Sequence, residues 1–230
     1  MLQPILGPLN ALDCTLVVLL IAIIPFVQIR ASLRRRPNRT LVQRYRRTMV
    51  VMGAPLALLA ADWLLAGRDA AALGLAVPVP LRGEIGLAIA LVVLLAVVAW
   101  PRPKGRKSDD LRARMKQSGM LISTPEELVF FLSLTLFVGC GVELLFRGFL
   151  LWAFSPFLGT AVAVVIAALA YGLGHGFANR KQVAGSVLSA FLFTVAYSVS
   201  GSLWWLMLIH TGLMLHGGWT GYRLARLQPA

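Results

Sequence analysis

Long apolar stretches alternate with short polar segments along the chain. A helix needs about 20 apolar residues to cross the hydrocarbon core of a bilayer, and seven stretches come close to that length. They lie at roughly 11–29, 48–66, 84–100, 127–154, 158–178, 183–200 and 202–222. The pattern predicts an all-α fold, a polytopic transmembrane bundle of about seven spans.

The composition agrees with a membrane protein. Hydrophobic residues make up 58% of the 230 residues, charged residues only 13%, and the mean hydropathy is +0.78. Soluble domains carry about 25% charged residues, so a soluble globular enzyme is excluded, and the chain is too apolar to be disordered. Cys14 and Cys140 lie inside apolar stretches, which predicts small core residues and no disulfide.

The net charge of +13 is concentrated between the predicted spans. Segment 30–47 holds eight arginines and segment 101–118 holds seven basic residues, whereas segments 67–83 and 155–157 hold few or none. This alternation is a topology signal and argues against nucleic-acid binding. It predicts an N-terminus outside and a cytoplasmic C-terminus, with contact to anionic lipid as a by-product.

The proline-flanked segment 101–125 divides the chain into two parts. Residues 1–110 form an N-terminal transmembrane half with three spans and basic cytoplasmic linkers, and residues 111–230 form a core of four. In the N-terminal half, Asp62 lies beside Trp63 near the outer end of a span, where we expect it to reach the interface. The chemistry is therefore expected in the second half.

Several residues in the last four spans are unusual in lipid, because charged groups there are costly and usually face a bundle interior. They are Glu143, Arg147, Tyr171, His175, His210 and His216. The first two are four residues apart and share a helix face. Counting the helical rise from the outer ends lets Glu143, His175 and His210 converge within the membrane.

Such a cluster has more than one interpretation. A buried carboxylate beside a histidine can activate water as a general base, and a second histidine can donate to the oxyanion. The structural alternative is a Glu–Arg pair with hydrogen-bonded core histidines. Zinc bound by Glu143, His175 and His210 is a third interpretation, although the chain has no His-Glu-x-x-His pair. A transporter is disfavoured, since paired discontinuous half-repeats are lacking.

Three blocks within residues 126–218 resemble the CPBP family of CAAX-processing and bacteriocin-processing intramembrane proteases. The first matches at Glu143, Arg147 and Gly148, but Val142 replaces the family's first glutamate. The second matches at Tyr171 and His175. The third matches at His210, but Met214 stands in place of Asn or Asp. The Thr124–Glu127 segment resembles the family's lead-in, and its acids Glu126 and Glu127 are interpreted as first-turn residues of a helix.

The resemblance implies a multi-pass endopeptidase of the bacterial cytoplasmic membrane, without a cofactor. Its partners would be membrane lipid and a membrane-tethered peptide or protein. Glu143, His175 and His210 would be catalytic, with Arg147 and Tyr171 in support. Because Val142 and Met214 depart from the motifs, the alternative is a catalytically degenerate member that acts as a membrane binding or accessory protein.

Overall fold

The computed structural model describes residues 9–33, 39–101, 103–176 and 180–227, and within these ranges it contains helices and no strand. Within the same ranges we number eight helices in chain order. They are α1 Ala11–Leu33, α2 Leu41–Leu65, α3 Leu81–Ala99, α4 Arg106–Gln117, α5 Pro125–Leu158, α6 Thr160–Leu173, α7 Arg180–Ser200 and α8 Trp204–Arg226. Helices α1 and α5 contain short π-helical turns, at Leu19–Ile23 and Leu144–Phe149.

Five of the described helices are long and apolar enough to cross a membrane, namely α1, α2, α3, α5 and the Val183–Ser200 part of α7. The all-α membrane fold is thus confirmed, and the chain is a multi-pass membrane protein. Helix α6 is apolar but short, and α8 is long but not among the five. The count of seven spans and the orientation of the termini remain predictions.

Local sequence signals explain where the helices begin. Thr124 accepts a hydrogen bond from the Glu127 amide, and the Glu127 carboxylate accepts one from the Thr124 amide. This capping box satisfies two backbone donors that otherwise lack partners at a helix start. The prediction that Glu126 and Glu127 occupy a first helical turn is confirmed. Asn10 and Thr40 cap α1 and α2 in the same way.

Helix α5 is the centre of the bundle. It packs against α2 and α8, and its C-terminal part packs against α6, which in turn lies along α7. The approach of α5 to α8 is close because Gly139 presents no side chain to Thr211, and Gly218 presents none to Phe131. This contact brings the middle of α5 next to His210.

The linker after the third span is more ordered than expected. Segment 101–118 was predicted as a basic connection, but it contains the amphipathic helix α4. The Arg112 guanidinium donates to the backbone carbonyls of Ala225 and Leu227. A cation at this position satisfies backbone carbonyls that lack partners at the end of α8. These hydrogen bonds hold α4 against the C-terminal end of α8.

The prediction that Asp62 reaches the interface was wrong. Asp62 is only 1% exposed, accepts from Asn10 Nδ2 at 2.6 Å and lies 2.9 Å from Arg68 Nη1. Arg68 also binds the buried Asp13 carboxylate at 2.7 Å. The hydrogen bond to Asp13 raises the pKa of Arg68 above its usual value. The difference arises because Arg68, in the loop after α2, forms ion pairs with both acids. The Asp62 carboxylate is therefore compensated by a protein cation and can be buried.

Candidate functional site

Glu143 lies at the end of the first part of α5, immediately before the π-helical turn Leu144–Phe149. Such turns insert one extra residue into an α-helix and are frequent at functional sites. Here the turn carries Arg147. Both charged side chains are buried, at 2% exposure each.

The Glu143 carboxylate has two partners. Its Oε1 atom lies 2.7 Å from Nδ1 of His210 on α8 and 3.4 Å from Nη1 of Arg147. The Glu–Arg pair expected from the four-residue spacing is therefore present, although it is the longer of the two contacts. The other oxygen, Oε2, is buried and has no hydrogen-bond partner among the described residues.

The Arg147 guanidinium also contacts an aromatic ring. Its guanidinium carbon lies 4.2 Å from the centroid of the Tyr171 ring, a cation–π contact that is favourable when the cation is desolvated. Tyr171 in turn contacts Phe146 edge-on, with ring centroids 5.7 Å apart. The motif residues Arg147 on α5 and Tyr171 on α6 are thus in direct contact.

His175 lies beyond the end of a helix, whereas the sequence placed it within a span at 158–178. Helix α6 ends at Leu173, and the His175 amide donates to the Gly172 carbonyl in the following turn. Gly176, with φ of +80°, continues this turn in the left-handed region that favours glycine. The His175 ring lies 4.8 Å from the Tyr171 ring, and its Nδ1 lies 3.0 Å from the Tyr171 carbonyl oxygen.

Two cavities separate the predicted site residues. Glu143, Arg147 and His210 line one of about 180 Å³. Val142 and His175 line another of about 420 Å³. Tyr171 lines both. Of the three residues expected to converge, Glu143 and His210 are in contact. His175 instead lines a cavity together with Val142, which replaces the family's first glutamate.

Some residues of the smaller cavity were not singled out in the sequence. Ser189 and Phe193 reach it from α7, and Leu206, Ile209 and Leu213 reach it from α8. No local signal distinguishes them from other residues of apolar helices. Met214 and His216 are not among the residues that line either cavity.

The smaller cavity is lined by one buried carboxylate and one buried guanidinium. Pairing of the two opposite charges limits the cost of burying both. The His210 side chain is 22% exposed, whereas that of Glu143 is 3% exposed. The imidazole is therefore more accessible than the carboxylate. Within the described residues, no three His, Cys, Asp or Glu side chains come close enough to hold a metal ion.

Comparison with known families supports the resemblance carried by the three blocks. Residues 124–215 match the family model described as type II CAAX prenyl endopeptidase Rce1-like. This segment covers less than half of the chain and contains Glu143, Arg147, Tyr171, His175 and His210. The CPBP-family resemblance is thereby confirmed for these residues. No curated protein and no solved structure matches the chain.

Proposed function

We propose that the chain is an intramembrane endopeptidase of the Rce1-like type, in which Glu143 and His210 form the acid–base pair. The observation that supports this proposal is the 2.7 Å contact between the Glu143 carboxylate and His210 Nδ1, two residues inside the segment that matches the family model. The substrate would be a peptide tethered to the membrane, because the pair lies within helices of the bundle.

Each side chain has a defined task in this proposal. When His210 Nδ1 donates to Glu143, the free Nε2 atom accepts a proton from water. The water oxygen bonds to the scissile carbonyl carbon, and Glu143 stabilises the imidazolium that forms. His210 then passes the proton to the amide nitrogen as the carbon–nitrogen bond breaks. Arg147 is a positioning residue that holds the Glu143 carboxylate in place.

His175 has a different part in the proposal. It lines the larger cavity, and Tyr171 lines both cavities. We assign it to substrate contact rather than to proton transfer. This assignment differs from the family pattern, in which the second-block histidine works with the first glutamate, because Val142 cannot accept a proton.

The test is hydrolysis of a membrane-tethered reporter peptide by the purified chain in detergent or nanodiscs. We expect Glu143→Gln to lower the rate by roughly 10²–10⁴-fold, the usual contribution of general acid–base catalysis. Glu126→Gln is the matched control, since Glu126 is exposed in the first turn of the same helix. Equal rates for the parent and Glu143→Gln would refute the proposal.

A second candidate function is supported by Val142, which lines the cavity that holds His175. In this candidate, the chain binds a membrane partner or lipid without hydrolysing a peptide bond. It predicts an inactive parent and the appearance of activity in the double variant Val142→Glu with Met214→Asn. Robust activity of the parent excludes it.

A further inference from the structure

The smaller cavity reaches the surface of the bundle between α7 and α8. Ser189 on α7 and Leu213 on α8 both line it, and both residues are exposed, Leu213 to 40%. At the inner end lie Glu143 and Arg147, whose side chains are only 3% and 2% exposed. The cavity therefore runs from an exposed rim, formed by Ser189 and Leu213, to the buried charged groups of the site.

Helices α7 and α8 are tied together at one end, away from this rim. The Trp205 indole donates to Ser200 Oγ at 2.9 Å, and the centroids of the Trp205 and Phe193 rings lie 6.3 Å apart. Ser200 ends α7, and Ser189 lies ~16 Å from it along the helix axis at 1.5 Å per residue. The rim is thus well separated from the turn that connects the two helices.

The surroundings of the rim are apolar. Ser189 lies inside the stretch Val183–Ser200, which is long and apolar enough to cross a membrane. It is ~9 Å from the nearer end of that stretch. On the same helix, Leu188 and Leu192 are 60% and 58% exposed. Because the hydrocarbon core of a bilayer is about 30 Å thick, the rim lies at the depth of lipid tails.

The cavity is too narrow for a helix. Its volume of about 180 Å³ is below the roughly 300–1,000 Å³ of small-molecule sites, whereas a helix with its side chains is about 10–12 Å across. Only a short extended stretch of a peptide fits. The amides of such a stretch need partners in apolar surroundings. Ser189 Oγ donates to the Ser186 carbonyl at 3.1 Å, and its oxygen can still accept a hydrogen bond.

We propose that substrate enters the smaller cavity sideways, from the lipid between α7 and α8, as a locally unwound apolar segment of a membrane-spanning peptide. A peptide arriving from water has to carry its polar backbone past the apolar rim, whereas a spanning segment is already at this depth. The proposal rests on the proposed peptidase function for the hydrolysis of this segment. The opening and the binding of the peptide are measured without hydrolysis.

The opening is tested by photolabelling in nanodiscs with a small apolar phenyl diazirine that dissolves in the lipid. We expect it to label Ile209, which lines the cavity and is only 8% exposed. Ser189→Trp fills the rim and should abolish this labelling, and Leu213→Trp should do the same from the other helix. Leu188→Trp is the matched control and should keep the label, because Leu188 is exposed beside Ser189 and does not line the cavity. Each variant is first checked for an unchanged melting temperature.

The occupant is tested with two reporter peptides that share one cleavable sequence. One reporter carries it within a membrane-spanning helix, and the other carries it in a water-soluble tail behind a lipid anchor. At equal excess, the spanning reporter should reduce labelling of Ile209, and the tail reporter should leave it unchanged. The spanning reporter should also be cleaved faster, and Ser189→Trp should lower its rate by roughly 10²-fold, the loss that a misplaced substrate produces.

The two proposals fail in different ways. Lateral entry is overturned if the parent leaves Ile209 unlabelled, if Leu188→Trp removes the label as Ser189→Trp does, or if the tail reporter competes better than the spanning one. The peptidase proposal fails if neither reporter is cleaved while labelling and competition follow the expected pattern. The opening then stands as a binding site for a spanning peptide.

Discussion

His210 Nδ1 lies 2.7 Å from the Glu143 carboxylate, although the two residues are 67 positions apart in the chain. The contact joins α5 to α8 at the place where Gly139 lets the two helices approach closely. It pairs the remaining acid of the degenerate first block with the histidine of the third block. The second-block histidine lies in the neighbouring cavity with Val142.

The two histidines are predicted to differ in their kinetic effects. His210→Ala should lower kcat by roughly 10²–10⁴-fold, because it removes the proton acceptor. His175→Ala should chiefly raise KM, because His175 lines the larger cavity and does not contact Glu143. Steady-state hydrolysis of a reporter peptide measures both constants. An equal loss of kcat in the two variants would contradict the division of roles.

The buried Glu143–Arg147 pair predicts a strong coupling in stability. Arg147→Gln leaves a carboxylate buried without its cation, which typically costs about 3–5 kcal/mol. The double variant Glu143→Gln with Arg147→Gln should recover part of this loss, since neither side chain is then charged. Unfolding in detergent is measured for the two single variants, Glu143→Gln and Arg147→Gln, and for the double variant, with exposed Arg47→Gln as the control. Additive losses in the double variant would show that the pair is not coupled.

Gly139 is predicted to set the distance between the two helices of the site. A Cβ atom at this position would collide with the Thr211 hydroxyl and meet the Thr211 Cα atom at 3.2 Å. Gly139→Ala should therefore cost about 1–3 kcal/mol, as overpacking does, and should reduce activity by separating Glu143 from His210. Melting temperature and reporter hydrolysis are the measurements.

Gly185→Ala is the matched control for this experiment. Gly185 lies within α7, and an added Cβ atom there meets nothing within 4 Å. Replacing a mid-helix glycine by alanine at such a site stabilises by roughly 0.5–1 kcal/mol. If both alanine variants gain stability, the close approach of α5 and α8 is not limited by Gly139.

The arginine-rich linkers predict the orientation of the chain in the membrane. In a background with Cys14→Ser and Cys140→Ser, the variant Ala72→Cys should react with a membrane-impermeant thiol reagent in intact cells. Ser118→Cys should react only after the membrane is permeabilised. Both positions are exposed in the structure. Labelling of Ser118→Cys alone in intact cells would reverse the predicted orientation.

Hydropathy and charge along the chain were enough to establish the membrane class and most helix positions. The predicted span at 183–200 lies within α7 at Arg180–Ser200, because apolar content and helix caps are local properties. Helix α4 was missed because its basic residues resemble a connecting segment when amphipathicity is not considered. The three motif blocks likewise were sufficient to indicate the family resemblance that the match at residues 124–215 supports.

Which side chains meet was decided by the tertiary structure. Adjacent residues on a helix point about 100° apart, so the sequence could not tell whether Glu143 or Val142 would face His175. The packing of α5 between α6 and α8 directs Glu143 to His210 and Val142 to the larger cavity. In the same way, Asp62 alone indicates an interfacial acid, and only the folded loop brings Arg68 to it. Sequence determines what each helix carries, whereas rotation and packing determine which groups can react together.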